Sequence, residues 1–389
     1  MRINLKNGES MSFTKKFPMN VFDIQDTLDR LKIPDYKPIV QFEISEHDNM
    51  EFPFALCLRD FSADIYRLNL FAERLENLDF SEMMAFKSLL KTNPESSFED
   101  ILKMTYGLDS VIIYPCSDCR ELGETVIENE MMPELESCSD EILELLDREK
   151  VGRLMQEREG GVFINEHYCV TSGYEPPDIN IEIGRIENCF FRLLAAPDFE
   201  KKEQAQWVTL PCDEKTVSYL RGMVCLKFQS SLPGITRKSF EKIFEIGVLN
   251  QLSERLSELS HNDFIKLKAV MESENINEID ETYDCIEHLS EYEFDRFVSD
   301  DNEFGRNYLA RNMPTNFDNS VLENMDLCNF GREILCHKHG EITSYGAVSG
   351  RGEKLYTTLT AAPEIAEEQT EDEAETEDES EGMSMGGLQ

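Results

Sequence analysis

The phrase that begins at Glu141, "EILELLDREKVGRLM", returns from Ser320 as "SVLENMDLCNFGREI". Both fit the pattern [IV]-L-E-x-[LM]-D-x-x-x-[VF]-G-R, with Asp147 and Asp326 followed at the same distance by Gly152–Arg153 and Gly331–Arg332. The echo extends upstream. "LNLFAERLENL" from Leu68 parallels "LNQLSERLSEL" from Leu249, and both place apolar residues at spacings that make one face of an amphipathic helix. "SDCRELGETVIENEMMP" parallels "SDDNEFGRNYLARNMP", and "EHYCV" parallels "TSYGAV". The landmarks keep their order, so the chain reads as two tandem copies of one unit.

Strand-like segments precede each helical block. In the first copy "RINLKNGESMSF" alternates around Asn7–Gly8, a hairpin signal. "NVFDIQDTLDRLKI" predicts a helix and "PIVQFEI" a returning strand. In the second copy "INIEIGRIENCFFRLLA" predicts the hairpin, "DEKTVSYLRGM" the helix and "VCLKFQ" the strand. The expected class is α+β. Each unit would be a small β-β-α-β part, then a helical part and a short α/β end, in an elongated molecule. The first unit is expected over 1–170 and the second over 178–359. A linker at 171–177 contains Pro176–Pro177, and a disordered acidic tail is expected over 360–389.

The repeated phrase has a direct physical reading. Asp147 and Asp326 suit helix N-caps, and Leu146/Val151 and Met325/Phe330 then fall at the two positions of a hydrophobic staple. Glycine inside a helix costs about 1 kcal/mol against alanine, so Gly152 and Gly331 predict a close backbone neighbour. Arg153 and Arg332 are expected in ion pairs.

Charge narrows the function. The net charge is −40, from 38 basic and 78 acidic residues. From Pro363 on there are eleven acids and no base, which leaves −29 on the rest of the chain. Such a body repels nucleic acid and anionic membranes and favours basic partners. No run approaches the length of a membrane helix, and "MRINLKNGES" is too polar for a secretory signal. The expectation is a cytoplasmic protein with its eleven cysteines reduced.

Candidate chemistry is sparse. Cys116 and Cys119 have C-x-x-C spacing, but the second copy reads Val298-Ser299-Asp300-Asp301 there. A metal that built the unit would recur. Cys336, His337 and His339 in "LCHKHGE" have no match in the first copy, and His47, His167, His261 and His288 stand apart. No phosphate-loop, zinc-protease, nucleophile-elbow or dinucleotide motif is present. No catalytic residue, cofactor or metal is expected. Rows of helical carboxylates about 5–6 Å apart can imitate a phosphate ridge. The −29 of the body equals the charge of roughly 15 base pairs of duplex.

Each unit resembles the ArdA antirestriction proteins. The likeness is carried by Asp147, Val151, Gly152 and Arg153, by Asp326, Phe330, Gly331 and Arg332, and by "SDCRELGETVIE" and "SDDNEFGRNYLA". The first copy departs from the family phrase at Val151 and Leu154, where the family has an aromatic residue and an acid. The resemblance implies a non-enzymatic DNA mimic that occupies the DNA groove of type I restriction–modification enzymes and protects incoming mobile DNA. Within one double-length chain it implies a pseudo-dimer. The surface expected to meet the partner is Asp118, Glu121, Glu144, Asp147, Asp300, Glu303, Glu323 and Asp326. The rivals are a DNA mimic aimed at another DNA-binding defence or nucleoid protein, a regulatory or scaffold protein of a conjugative element and, last, a thiol or metal enzyme using Cys116 and Cys119.

Overall fold

Alternating Ile3 and Leu5 face inward from β1 (Arg2–Asn7), which turns at Gly8 (φ +67°) into β2 (Met11–Lys16). The computed structural model describes residues 1–8, 11–46, 60–178, 188–243, 245–312 and 324–350. Asn20 caps α1 (Val21–Arg30) by accepting from the backbone N–H groups of Phe22 and Asp23. β3 (Ile39–Glu46) returns beside β1, and β4 (Phe61–Asp64) extends the antiparallel sheet to the order β2-β1-β3-β4. The helices α2 (Ile65–Asn77), α3 (Phe80–Thr92) and α4 (Phe98–Lys103) close the first core. The end of the unit holds β5 (Ile112–Tyr114), α5 (Cys119–Glu128), α6 (Asp140–Glu144), α7 (Arg148–Glu159), β6 (Val162–Ile164) and β7 (His167–Val170). Its three strands pair as β5-β7-β6.

The same order then recurs. β8 (Phe191–Ala196), β9 (Gln206–Leu210), α8 (Glu214–Leu220) and β10 (Val224–Ser230) give the sheet β10-β8-β9, which matches β3-β1-β2. α9 (Arg237–Ile243), α10 (Ile246–Ser257), α11 (His261–Ser273) and α12 (Ile279–Glu287) follow. β11 (Glu293–Asp295), α13 (Asp301–Asn312), α14 (Leu327–His337), β12 (Glu341–Thr343) and β13 (Gly346–Ser349) end the described chain, with strand order β11-β13-β12. The class is α+β.

Hydrogen bonds recur with the elements. Asn69 accepts from Met19 N at 2.6 Å, and its amide donates to Met19 O and to Glu73. Asn250 accepts from Cys212 N at 2.8 Å and donates to Cys212 O and Glu254. The shared Asn and Glu of the upstream echo thus tie each central helix to the segment following Pro18 or Pro211.

Two expectations shift. The second hairpin lies further along the chain, because "FFRLLA" supplies its first strand and the unanticipated β9 its second. The earlier part of that segment, 179–187, falls outside the described residues, as do residues 351–389. The strand register pairs Cys169 with Val162 and Val348 with Glu341, so the closing strands correspond one residue away from the "EHYCV"/"TSYGAV" alignment. The 171–177 segment is held against the first unit, where the Tyr174 hydroxyl meets Lys103 O and Tyr106 O, both at 3.3 Å.

The repeated glycines do what their helical cost implied. A methyl group on Gly152 would overlap the carbonyl oxygen of Cys119, and one on Gly123 that of Arg148. Gly331 and Gly305 stand in the same relation to Asp301 and Leu327. α5 crosses α7, and α13 crosses α14, backbone against backbone. Gly152→Ala and Gly331→Ala are each expected to cost about 2–3 kcal/mol in urea unfolding. Gly222→Ala, with nothing within 4 Å, should stay within about 0.5 kcal/mol of the parent.

Candidate functional surface and the junction between the units

The carboxylates singled out in the sequence cluster at helix starts. Asp118 caps α5, accepting from Arg120 N (2.8 Å) and Glu121 N (3.0 Å), while Glu121 reaches back to Ser117 N and Oγ. Asp300 accepts from Glu303 N, and Glu303 accepts from Ser299 N, both at 2.8 Å. Asp147 caps α7 through Lys150 N, and Asp326 caps α14 through Asn329 N (3.1 Å). Six of the eight therefore serve the backbone while their charges stay at the surface. The backbone N–H of Lys150 holds the Asp147 carboxyl below its ordinary value. Glu144 is exposed at the end of α6, and Glu323 lies outside the described residues. Arg153 pairs with Glu149 on its own helix, and Arg332 Nε reaches Asp301 at 3.1 Å across the glycine contact.

Few charges are buried, and both signs occur among them. Among the described residues, only Asp29 and Asp284 of the acids are buried, and only Lys268 of the bases. Lys268 and Asp29 meet at the contact between the units. Lys268 projects from α11 with its side chain 1% exposed, 2.9 Å from Asp29 Oδ2 and 3.5 Å from Asp26 Oδ1 on α1. Arg30 Nε donates to Asp26 at 2.7 Å, and Arg30 Nη1 lies 3.1 Å from Glu272. The hydroxyl of Tyr345, in the β12–β13 turn, donates to Asp26 and accepts from Arg30 Nη2 at 2.7 Å. The Arg30 guanidinium also covers the Tyr345 ring, 4.5 Å from its centroid. Lys32 donates to Val298 O (3.0 Å) and Ser299 Oγ (2.7 Å).

Burial pushes the Asp26 carboxyl up, but the charges of Lys268 and Arg30 and the Tyr345 hydrogen bond outweigh it, so its pKa falls below the ordinary value. Burial, with Asp26 beside it, holds the Tyr345 phenol far above its usual range, which keeps it a donor.

The described contact runs from the head of the first unit to the tail of the second. The matching positions do not repeat its chemistry. Counted from the helix caps Asn20 and Asp213, Asp26, Asp29 and Arg30 correspond to Tyr219, Gly222 and Met223; Lys268, Glu272 and Tyr345 correspond to Lys87, Lys91 and Glu166. Such a junction is heterologous.

Sequence reading missed this cluster. Its one visible signal was Lys268 inside the apolar run "FIKLKAVM". The thiols of the C-x-x-C stretch part company: Cys116 Sγ lies 3.2 Å from Thr125 Oγ1, and Cys119 Sγ meets Gln156. All ten described cysteines are free, and no group of three metal-ligating side chains occurs among the described residues. No described helix is long and apolar enough to cross a membrane. No protein-family model matches this chain, and no curated protein does.

Since the folded pKa of Asp26 lies below its unfolded value, its contribution to the junction is complete above the ordinary carboxylate range. It is lost as pH falls through the lowered folded value. Lys268→Met, which takes from buried Asp29 its one close cation while Asp26 keeps Arg30, should cost the junction about 3 kcal/mol. Amide exchange of α1 and α11 in neutral and acidic buffer reads both effects: the parent loses part of its protection on acidification, and the variant starts with less of it.

Proposed function

We propose that the chain is a tandem duplication of an ArdA-like unit and acts as a DNA mimic. It would bind the basic DNA groove of a DNA-handling enzyme rather than catalyse a reaction, with a type I restriction–modification enzyme as the target that the resemblance implies. Its setting would be the cytoplasm of a cell receiving mobile DNA. The observation that supports this most is where the charge sits. Among the described residues only Asp29 and Asp284 of the acids are buried, so the excess carboxylates of the described body lie outside. The recurrence of Asp118/Glu121 as Asp300/Glu303, and of Asp147 as Asp326, offers the same anionic pattern from both units. Association would gain from counterions released on ion pairing, a salt-sensitive gain.

Purified type I enzyme, assayed for methylation and cleavage with the full chain present, tests the proposal. Inhibition should weaken on the order of a thousandfold between about 50 and 200 mM salt. The quadruple variant Asp118→Asn, Asp147→Asn, Asp300→Asn and Asp326→Asn keeps an oxygen for each cap while removing four charges. It should fold normally, inhibit less, and lower the salt slope by roughly one for each ion pair with the enzyme that it removes. Undiminished inhibition with an unchanged slope would remove these residues from the interface. Binding to a basic nucleoid protein without inhibition of the enzyme would move the target.

A further inference from the structure

The two units differ most informatively inside their sheets. Phe13 and Gln206 each lie five residues ahead of Pro18 and Pro211, the prolines that precede the helix caps. Opposite Phe13 stands Leu5, and opposite Leu5 stands Phe42. Opposite Gln206 stands Ala195, and opposite Ala195 stands Cys225. Leu5 and Phe42 are fully buried, and Phe42 packs against Phe61 and Phe98. The second unit therefore has Ala and Cys where the first has Leu and Phe, and α8 is three residues shorter than α1.

The missing volume stays open. A cavity of about 500 Å³ lies between the sheet and α8, α9 and α10, walled by Leu193, Ala195, Leu220, Met223, Phe240 and Ile246. Phe199, 58% exposed, stands at its edge. The size and apolar lining are those of a small-molecule site. Its polar groups are uneven. Arg237 is occupied by Glu241 at 2.6 Å and by Leu226 O at 2.9 Å. Arg221 is exposed and has no ion-pair partner among the described residues. Its guanidinium lies beside Gly247, 3.6 Å from where a methyl group there would stand. α10 starts at that point without a side-chain cap, whereas Asp64 caps α2 in the first unit. Glu241 and Glu245 also line the cavity, Glu241 paired with Arg237, which leaves Arg221 as the one cation there outside an ion pair.

We propose that this cavity binds a small amphipathic anion, its apolar body between sheet and helices and its single acidic group on Arg221. Among the described residues the site belongs to the second unit, since Leu5 and Phe42 occupy the matching sheet positions in the first. It is independent of the DNA-mimic reading and uses none of the surface carboxylates.

Fluorescence titration of the full chain with 1-anilinonaphthalene-8-sulfonate, followed by competition with decanoate and with decanol, tests it. One saturable site is expected, with decanoate displacing the dye at roughly tenfold lower concentration than decanol, the increment of one charge-assisted hydrogen bond. Arg221→Gln should erase the preference for the acid and leave displacement by decanol. Ala195→Leu with Cys225→Phe, which restores the side chains of the first unit, should abolish the site. Non-saturating fluorescence, equal displacement by acid and alcohol, or an unchanged site in the refilled variant would overturn the proposal. Circular dichroism checks that variant's fold, and Arg221→Gln, exposed and outside the core, decides the matter should the refilled protein not fold.

Discussion

Two acidic bodies joined in one chain repel each other, and the contact of Lys268 with Asp26 and Asp29 works directly against that repulsion. Removing these ions from water is costly, and the geometry offsets the cost only because each is further satisfied. Arg30 and Tyr345 complete the coordination of Asp26, and His261 and Arg296 approach Asp29 at 3.7 and 3.8 Å. The cluster uses cations from both units, Arg30 from α1 and Lys268 from α11. It withdraws charges of both signs from the surface, Asp26 and Asp29 together with Arg30 and Lys268, while fixing one unit against the other.

The second constraint is steric. The glycine pairs let α5 meet α7, and α13 meet α14, at backbone distance. Those crossings hold the capped helix starts side by side, so Asp118 and Asp147, or Asp300 and Asp326, belong to one compact end of each unit. A structural device and a charged surface are built from the same residues. The caps need carboxylates near backbone N–H groups, and the same oxygens still face solvent. This is why Asp and Asn differ little for folding at such positions and differ fully in charge.

Repeated sequence phrases do not require repeated use. The units share their capping acids, their Asn clamps and their sheet order, yet the junction engages only one head and one tail. Tyr219, Gly222 and Met223 stand where Asp26, Asp29 and Arg30 make the contact, so the head of the second unit lacks the groups that would repeat it. The same unit has an emptied sheet interior where the first is filled by Leu5 and Phe42. Local hydrogen bonds that fold each unit are preserved, and the surfaces between and beneath them differ.

Much of this was legible in the sequence because it depends on short-range spacing. Asp147 and Asp326 announced caps, Gly152 and Gly331 announced a close approach, and the Leu68 and Leu249 faces announced buried helices; each rests on neighbours within a turn or two. The partners could not be read. Nothing local says that Gly152 faces Gly123, that Asn69 holds Met19, or that Lys268 finds Asp29 across 239 residues of chain. Nor does a strand of small residues reveal whether a helix or an open cavity covers it. The sequence by itself determined the α+β class, the helix starts and the acidity of the surface, since these follow from composition and local hydrogen bonding. Only the tertiary structure decided which charges are withdrawn into the junction and where space remains, because those depend on which distant faces come together.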